Sequence, residues 1–207
     1  MSSLKSHTLP WLAYPGVMVA SFTIYALLDA QEASVVVSSY AAVVLGAGAV
    51  TLLEFVIPYD IGWQPNRSDV KNDLLFMVTV QMVLPQILTL LAGVSLVRYL
   101  SASSWPLSIW PHDLPLALQV GLMLFVAEFF RYCLHVAAHN TKWLWRLHAV
   151  HHSPHKLYWL NVGRFHPIEK AMQYTLDMLP FILIGVSEDV LALYLVFYAV
   201  NGFFQHS

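Results

Sequence analysis

The sequence predicts an all-α fold: a multi-pass integral membrane bundle of about four transmembrane helices plus a C-terminal helical hairpin, with a histidine cluster facing the cytoplasm. Three observations carry that prediction. Of 207 residues, 58% are hydrophobic and 11% are charged, whereas an ordinary soluble domain carries about 25% charged residues. Four long apolar runs reach, or come close to, the ~20 residues that cross a hydrocarbon core. Five histidines then crowd into HVAAHNTKWLWRLHAVHH, residues 135–152.

The runs are WLAYPGVMVASFTIYALL (11–28), SVVVSSYAAVVLGAGAVTLLEFVI (34–57), LLFMVTVQMVLPQILTLLAGVSLV (74–97) and LPLALQVGLMLFVAEFF (114–130). Glu54 and Glu128 alone interrupt them with charge, and both stand close to an end. The first run follows Lys5 without a small-residue cleavage site, so it reads as a retained helix rather than a signal peptide. Pro85 and Gly93 are kinks that a packed membrane helix tolerates. A fifth apolar region, 174–204, is divided by Ser187, Glu188 and Asp189 and predicts the hairpin. No repeat or flexible linker divides the chain, which reads as a single membrane domain over 1–207.

Charge sets the expected orientation and excludes one partner class. Six of the ten Lys and Arg residues lie between Arg131 and Lys170, Arg67 and Lys71 follow the second run, and Lys5 precedes the first. The positive-inside bias places all three regions on the cytoplasmic side, which four crossings satisfy. The hairpin would then return His206 to the depth of the other five histidines. A net charge of −2 supplies no basic field for nucleic acid. The one cysteine, Cys133, excludes an intrachain disulfide and a CxxC metal site, and in its apolar run it reads as an inert thiol.

His135 and His139 are four apart and share one face of a helix, and so do His148, His151 and His152 at i, i+3 and i+4. On one straight helix the two sets would miss each other by roughly 220°. Asn140 and Thr141 are poor in helix interiors and good at N-caps, so the chain is expected to break there. A second helix would start at Lys142 and run to Ser153 and Pro154, turning the two faces toward each other. Neutral imidazole is a ligand for Fe, Zn, Cu or Ni. Five imidazoles exceed the three or four protein ligands of an ordinary zinc site, and fit two metals, or one metal with supporting hydrogen-bonded rings. The bland alternative is a set of surface or hydrogen-bonded histidines.

Neighbouring residues extend this reading. Glu128 and Arg131 could orient a ligand or form an interfacial salt bridge, while Trp143 and Trp145 read as interfacial anchors. His155 reads as solvated. His166, in GRFHPIEK, is a ligand, a helix cap or a head-group contact. His206 is a candidate sixth ligand, and His7 and His112 are isolated and read as structural.

HVAAH, WLWRLHAVHHSPH, RFHP and FFQHS together resemble the fatty acid hydroxylase, or sterol desaturase, superfamily of integral membrane di-iron enzymes. The resemblance extends from about Gln64 to the end, where WQPNRSDVKNDLLF is similar to the family's lead-in to a membrane helix. It divides the domain into N-terminal membrane helices (1–63) and a hydroxylase-like region (64–207). By position, His135 and His139 match the first histidine box, His148, His151 and His152 match the second, and His206 matches a later histidine. Val136 stands where the family often has Arg. The sequence stops at Ser207, before a third HxxHH box, so the expectation is a fragment or truncated product rather than a complete enzyme.

The resemblance implies O2-dependent hydroxylation or desaturation of an aliphatic C–H bond in a lipid or sterol-like substrate, with two iron ions as cofactor. Electrons would come from cytochrome b5 or a ferredoxin with its NAD(P)H reductase, in the endoplasmic reticulum or the bacterial inner membrane. No HPGG haem-binding segment occurs within these 207 residues. Two alternatives are a membrane zinc hydrolase with Glu128 or Glu169 as its base, and a non-catalytic remnant. A histidine-lined transporter is disfavoured, because its ligands would repeat in inverted halves near mid-membrane.

Overall fold

Each apolar run folds as a helix. The computed structural model describes the backbone of residues 2–100 and 109–207, and the side chains of 11–92 and 109–207, so the side chains of His7 and Arg98 lie outside the described residues. In chain order the helices are α1 (Ser2–Asp29), α2 (Val35–Val56), α3 (Arg67–Phe76), a π-helical stretch (Met77–Val83), α4 (Leu84–Leu100), α5 (Leu116–Asn140), α6 (Lys142–His148), α7 (Pro167–Asp177), α8 (Leu179–Leu183) and α9 (Glu188–Gln205). Single 3₁₀ turns stand at Ile61–Trp63 and Trp159–Gly163, and there is no strand among the described residues.

Four segments among the described residues are long and apolar enough to cross a membrane: Trp11–Asp29, Val35–Val56, Arg67–Ala92 and Leu116–Asn140. They are the four runs that the sequence predicts. Their outward apolar side chains, such as Val44 at 68% and Phe125 at 74% exposure, fit a lipid solvent and would be a liability in water. The third span differs from expectation at Pro85. Proline has no N–H and crowds the carbonyl four residues earlier. Here the helix widens into a π-turn just before it, with the Leu84 N–H bonded to Thr79 O. The C-terminal hairpin is broken earlier than expected. Gly185, at φ 82°, turns the chain, and Glu188 and Asp189 become the first turn of α9, where the helix dipole favours acidic side chains.

Contacts divide the chain into two units. The first comprises Met1–Asn66, His155–Val162 and Leu191–Ser207, and the second Arg67–Pro154 and Gly163–Val190. In the first, α1 and α2 pack against each other across a tight turn. Glu32 holds the left-handed position of that turn at φ 59°, the Ala33 N–H reaches Leu28 O, and Ser34 caps α2 by accepting the Val37 N–H. Tyr25, Ala42, Ala192 and Val196 form the buried core. Gly46 is required by close approach, because a Cβ there would meet Val200 Cγ2 at 2.7 Å.

In the second unit α7 is the hub, packing on α4, α5, α6 and α8. Its Tyr174 hydroxyl pairs with Thr89 Oγ1 of α4 at 2.8 Å. The start of α5 is fixed by Gln119, which accepts the Trp110 indole N–H at 2.7 Å and donates to Leu114 O at 2.7 Å.

Candidate metal centre

The last two turns of α5 carry His135 and His139. The helix ends at Asn140, Thr141 is extended (φ −122°, ψ 120°), and α6 restarts at Lys142. The break falls where the sequence predicts it, by a different device. Thr141 makes no side-chain cap, and Asn140 Nδ2 turns back to donate to Val136 O at 2.7 Å.

The second helix is shorter than expected. It ends at His148 rather than at Ser153, so His148, His151 and His152 do not share a regular helix face. Pro154 offers no N–H to the Val150 carbonyl, which accepts the Ser153 hydroxyl (2.7 Å) and N–H instead. The turn still keeps the three rings together, since the His151 and His152 N–H groups both bond to His148 O.

All five rings converge. The His135 centroid lies 4.6 Å from His139 and 4.7 Å from His148, and His139 lies 4.9 Å from both His148 and His152. His151 stands 5.5 Å from His148 and 5.4 Å from His152. The nitrogen donors of His135, His139 and His148 lie within 4.8 Å of one another, a spacing that one metal ion can gather. Nε2 of His148 and Nε2 of His152 are 3.1 Å apart.

Hydrogen bonds to the outer edges of two rings engage one nitrogen of each. His148 Nδ1 faces Glu169 Oε1 at 2.6 Å, and His151 Nδ1 faces the Arg164 carbonyl at 3.2 Å. A carbonyl and an ionised carboxylate only accept, so with Glu169 ionised each of these pairs has its proton on Nδ1. Burial, then the neighbouring His148 and His139 rings, push the His152 imidazole below its ordinary value and favour the neutral, ligating form. The donor set and its protonation fit a metal that prefers nitrogen ligands.

The surroundings are polar beneath and aromatic at the sides. Phe165 stacks on His151 at 4.3 Å, and Trp145 lies 5.3 Å from His139 and 5.7 Å from His152. Both Trp143 and Trp145 are exposed, as interfacial anchors would be, and Trp145 also lies against the cluster. Arg164 binds the buried Asp73 of α3 through both Nε and Nη2, which fixes the loop whose carbonyl supports His151. Arg131 pairs with the buried Asp177 at 3.3 Å, a partner that the sequence reading did not name.

The remaining candidates sort individually. His166 is the N-cap of α7, its Nδ1 accepting the Ile168 N–H at 3.2 Å. His155 and His112 are exposed. His206 belongs to the first unit, where its Nδ1 meets Oδ1 of the fully buried Asn161 at 2.7 Å. Asn161 Nδ2 in turn donates to Lys156 O, which fixes the amide that engages His206 Nδ1.

Sequence reasoning missed Asp73, Arg164 and the ring-supporting role of Glu169, which it offered only as a hydrolase base. One signal was readable. Glu169, Gln173 and Asp177 repeat every fourth residue along a single helix face.

Comparison with known proteins gives a consistent placement. Residues 120–207, which include all six candidate histidines, match the family model described as Fatty acid hydroxylase. The chain is similar to the ornithine lipid hydroxylase OlsE of Rhizobium tropici, at 36% identity over 140 residues. That alignment covers 66% of this chain and 42% of the relative, so the chain spans less than half of the curated protein it matches. No solved structure matches the chain.

Proposed function

Because this chain belongs, through residues 120–207, to the fatty acid hydroxylase superfamily, we propose that it hydroxylates an aliphatic carbon of a membrane lipid, using O2 and two iron ions held by His135, His139, His148, His151 and His152. The observation that carries this reading is the convergence of the five rings with the Nδ1 protons of His148 and His151 committed elsewhere. Iron bound there supplies O2 activation and attack on an unactivated C–H bond, which amino-acid side chains alone do not perform.

The chain's own residues supply geometry. His148, at 1% exposure, anchors the centre in a dry position, while the exposed rings of His135 and His139 leave an open side for a lipid tail. Trp145 and Phe165 limit water around the rings. The name of the similar protein makes an ornithine lipid the first substrate to try. Electrons come from cytochrome b5 or a ferredoxin with its NAD(P)H reductase. The centre lies on the cytoplasmic side, as the basic residues of 131–170 indicate, in the endoplasmic reticulum or the bacterial inner membrane. The zinc-hydrolase alternative loses one candidate base, because Glu169 is buried and bonded to His148.

Expression in cells that make ornithine lipid, under labelled O2, tests the reading. One labelled oxygen atom should enter the lipid and should be absent with His148→Ala. Hydroxylation that takes its oxygen from water, or that survives His148→Ala, would overturn it.

A further inference from the structure

Helix α7 turns a polar face inward. Glu169, Gln173 and Asp177 are all buried where α7 packs on α5 and α6, and a carboxylate in such a place is costly unless it is compensated. Asp177 has its cation in Arg131. The hydrogen bonds of Glu169 go instead to an imidazole and an amide: Oε1 meets His148 Nδ1 at 2.6 Å and Gln173 Nε2 at 3.5 Å, while Oε2 is buried without a hydrogen-bond partner. Glu169 sits on the Nδ1 edge of the ring and the cluster meets the Nε2 edge, so the carboxylate cannot ligate the ion that His148 binds.

We propose that Glu169 is a positioning residue: it fixes His148 as the Nδ1–H tautomer, aims Nε2 into the cluster, and makes His148 a stronger metal donor than His151. The contrast with His151 carries the last step. The Nδ1 partner of His151 is a neutral carbonyl at 3.2 Å, whereas His148 has a carboxylate at 2.6 Å. When Nε2 donates to a cation, positive charge accumulates on the ring, and an ionised partner at short range stabilises it more than a carbonyl does. Gln173 keeps the carboxylate turned toward the ring through its Nε2–H. The inference rests on the reading that the cluster binds a divalent metal.

The test titrates the full metal-free chain in detergent with Co2+ alone, following visible absorption and competition with a chelator. Glu169→Gln and Glu169→Leu should weaken Co2+ binding by roughly 10–100-fold, and Glu169→Asp should recover part of it. The metal-free melting temperature of Glu169→Gln should stay near that of the wild type, since the amide keeps the shape and the acceptor. A merely structural Glu169 gives the opposite pattern, a lower metal-free melting temperature with unchanged Co2+ affinity and spectrum, and that result overturns the proposal. Wild-type protein that takes up no Co2+ would instead remove the metal reading itself, and this inference with it.

Discussion

Asp177 shows how a single buried charge is held at the foot of the centre. Burial pushes its carboxyl above the ordinary value of 3.8, against the opposing pull of Arg131 and Lys170. The unfolded chain therefore releases this proton first, and the native state keeps it to higher pH. The contribution of Asp177 to stability thus falls as pH rises from 3.8 through the raised value, and is level above it. Asp177→Asn removes that slope while Arg131 stays charged throughout. Melting temperatures in detergent across this range should show the wild type losing ground to the variant as pH rises. A wild type that gains on the variant would mean that Arg131, not burial, dominates the site. The gathering of these five rings was legible at this scale, because histidines at i+4 and i+3/i+4 spacings have few other uses in an apolar chain. Their supports were not. Glu169 stands 21 residues from His148, and no local pattern connects them.

At the scale of elements, the break between α5 and α6 does the most for the site. Asn140 and Thr141 announced it, since both prefer non-helical backbone, although neither caps the new helix as their types suggested. Replacing both with Ala should fuse the helices and carry His148 roughly 220° from the face of His135. The expected outcome is loss of bound metal, a gain in helical circular dichroism and unchanged membrane insertion. Retained metal in a continuous helix would show that the turn after His148 suffices alone. The end of α6 at His148 was not legible, because Pro154 bars helix only near itself, and the earlier release depends on the Ser153 hydroxyl reaching Val150 O. The face of α7 was hidden for a related reason. A polar stripe on an amphipathic helix ordinarily meets water, and here Glu169, Gln173 and Asp177 are buried within the protein.

For the whole molecule, composition and run length were enough to identify the four candidate spans, because a bilayer leaves a chain little choice but helix. The π-turn before Pro85 and the partition into two contact units were not visible, since both depend on packing. The proposed dimetal centre is carried by α5, α6 and the turn that follows them. Metal analysis of the purified chain, as wild type and as His148→Ala, tests it most directly. Two iron ions per wild-type chain, lost in the variant, are expected, with both proteins inserted in the membrane. About one zinc per chain and no iron, or metal content unchanged by His148→Ala, would contradict it.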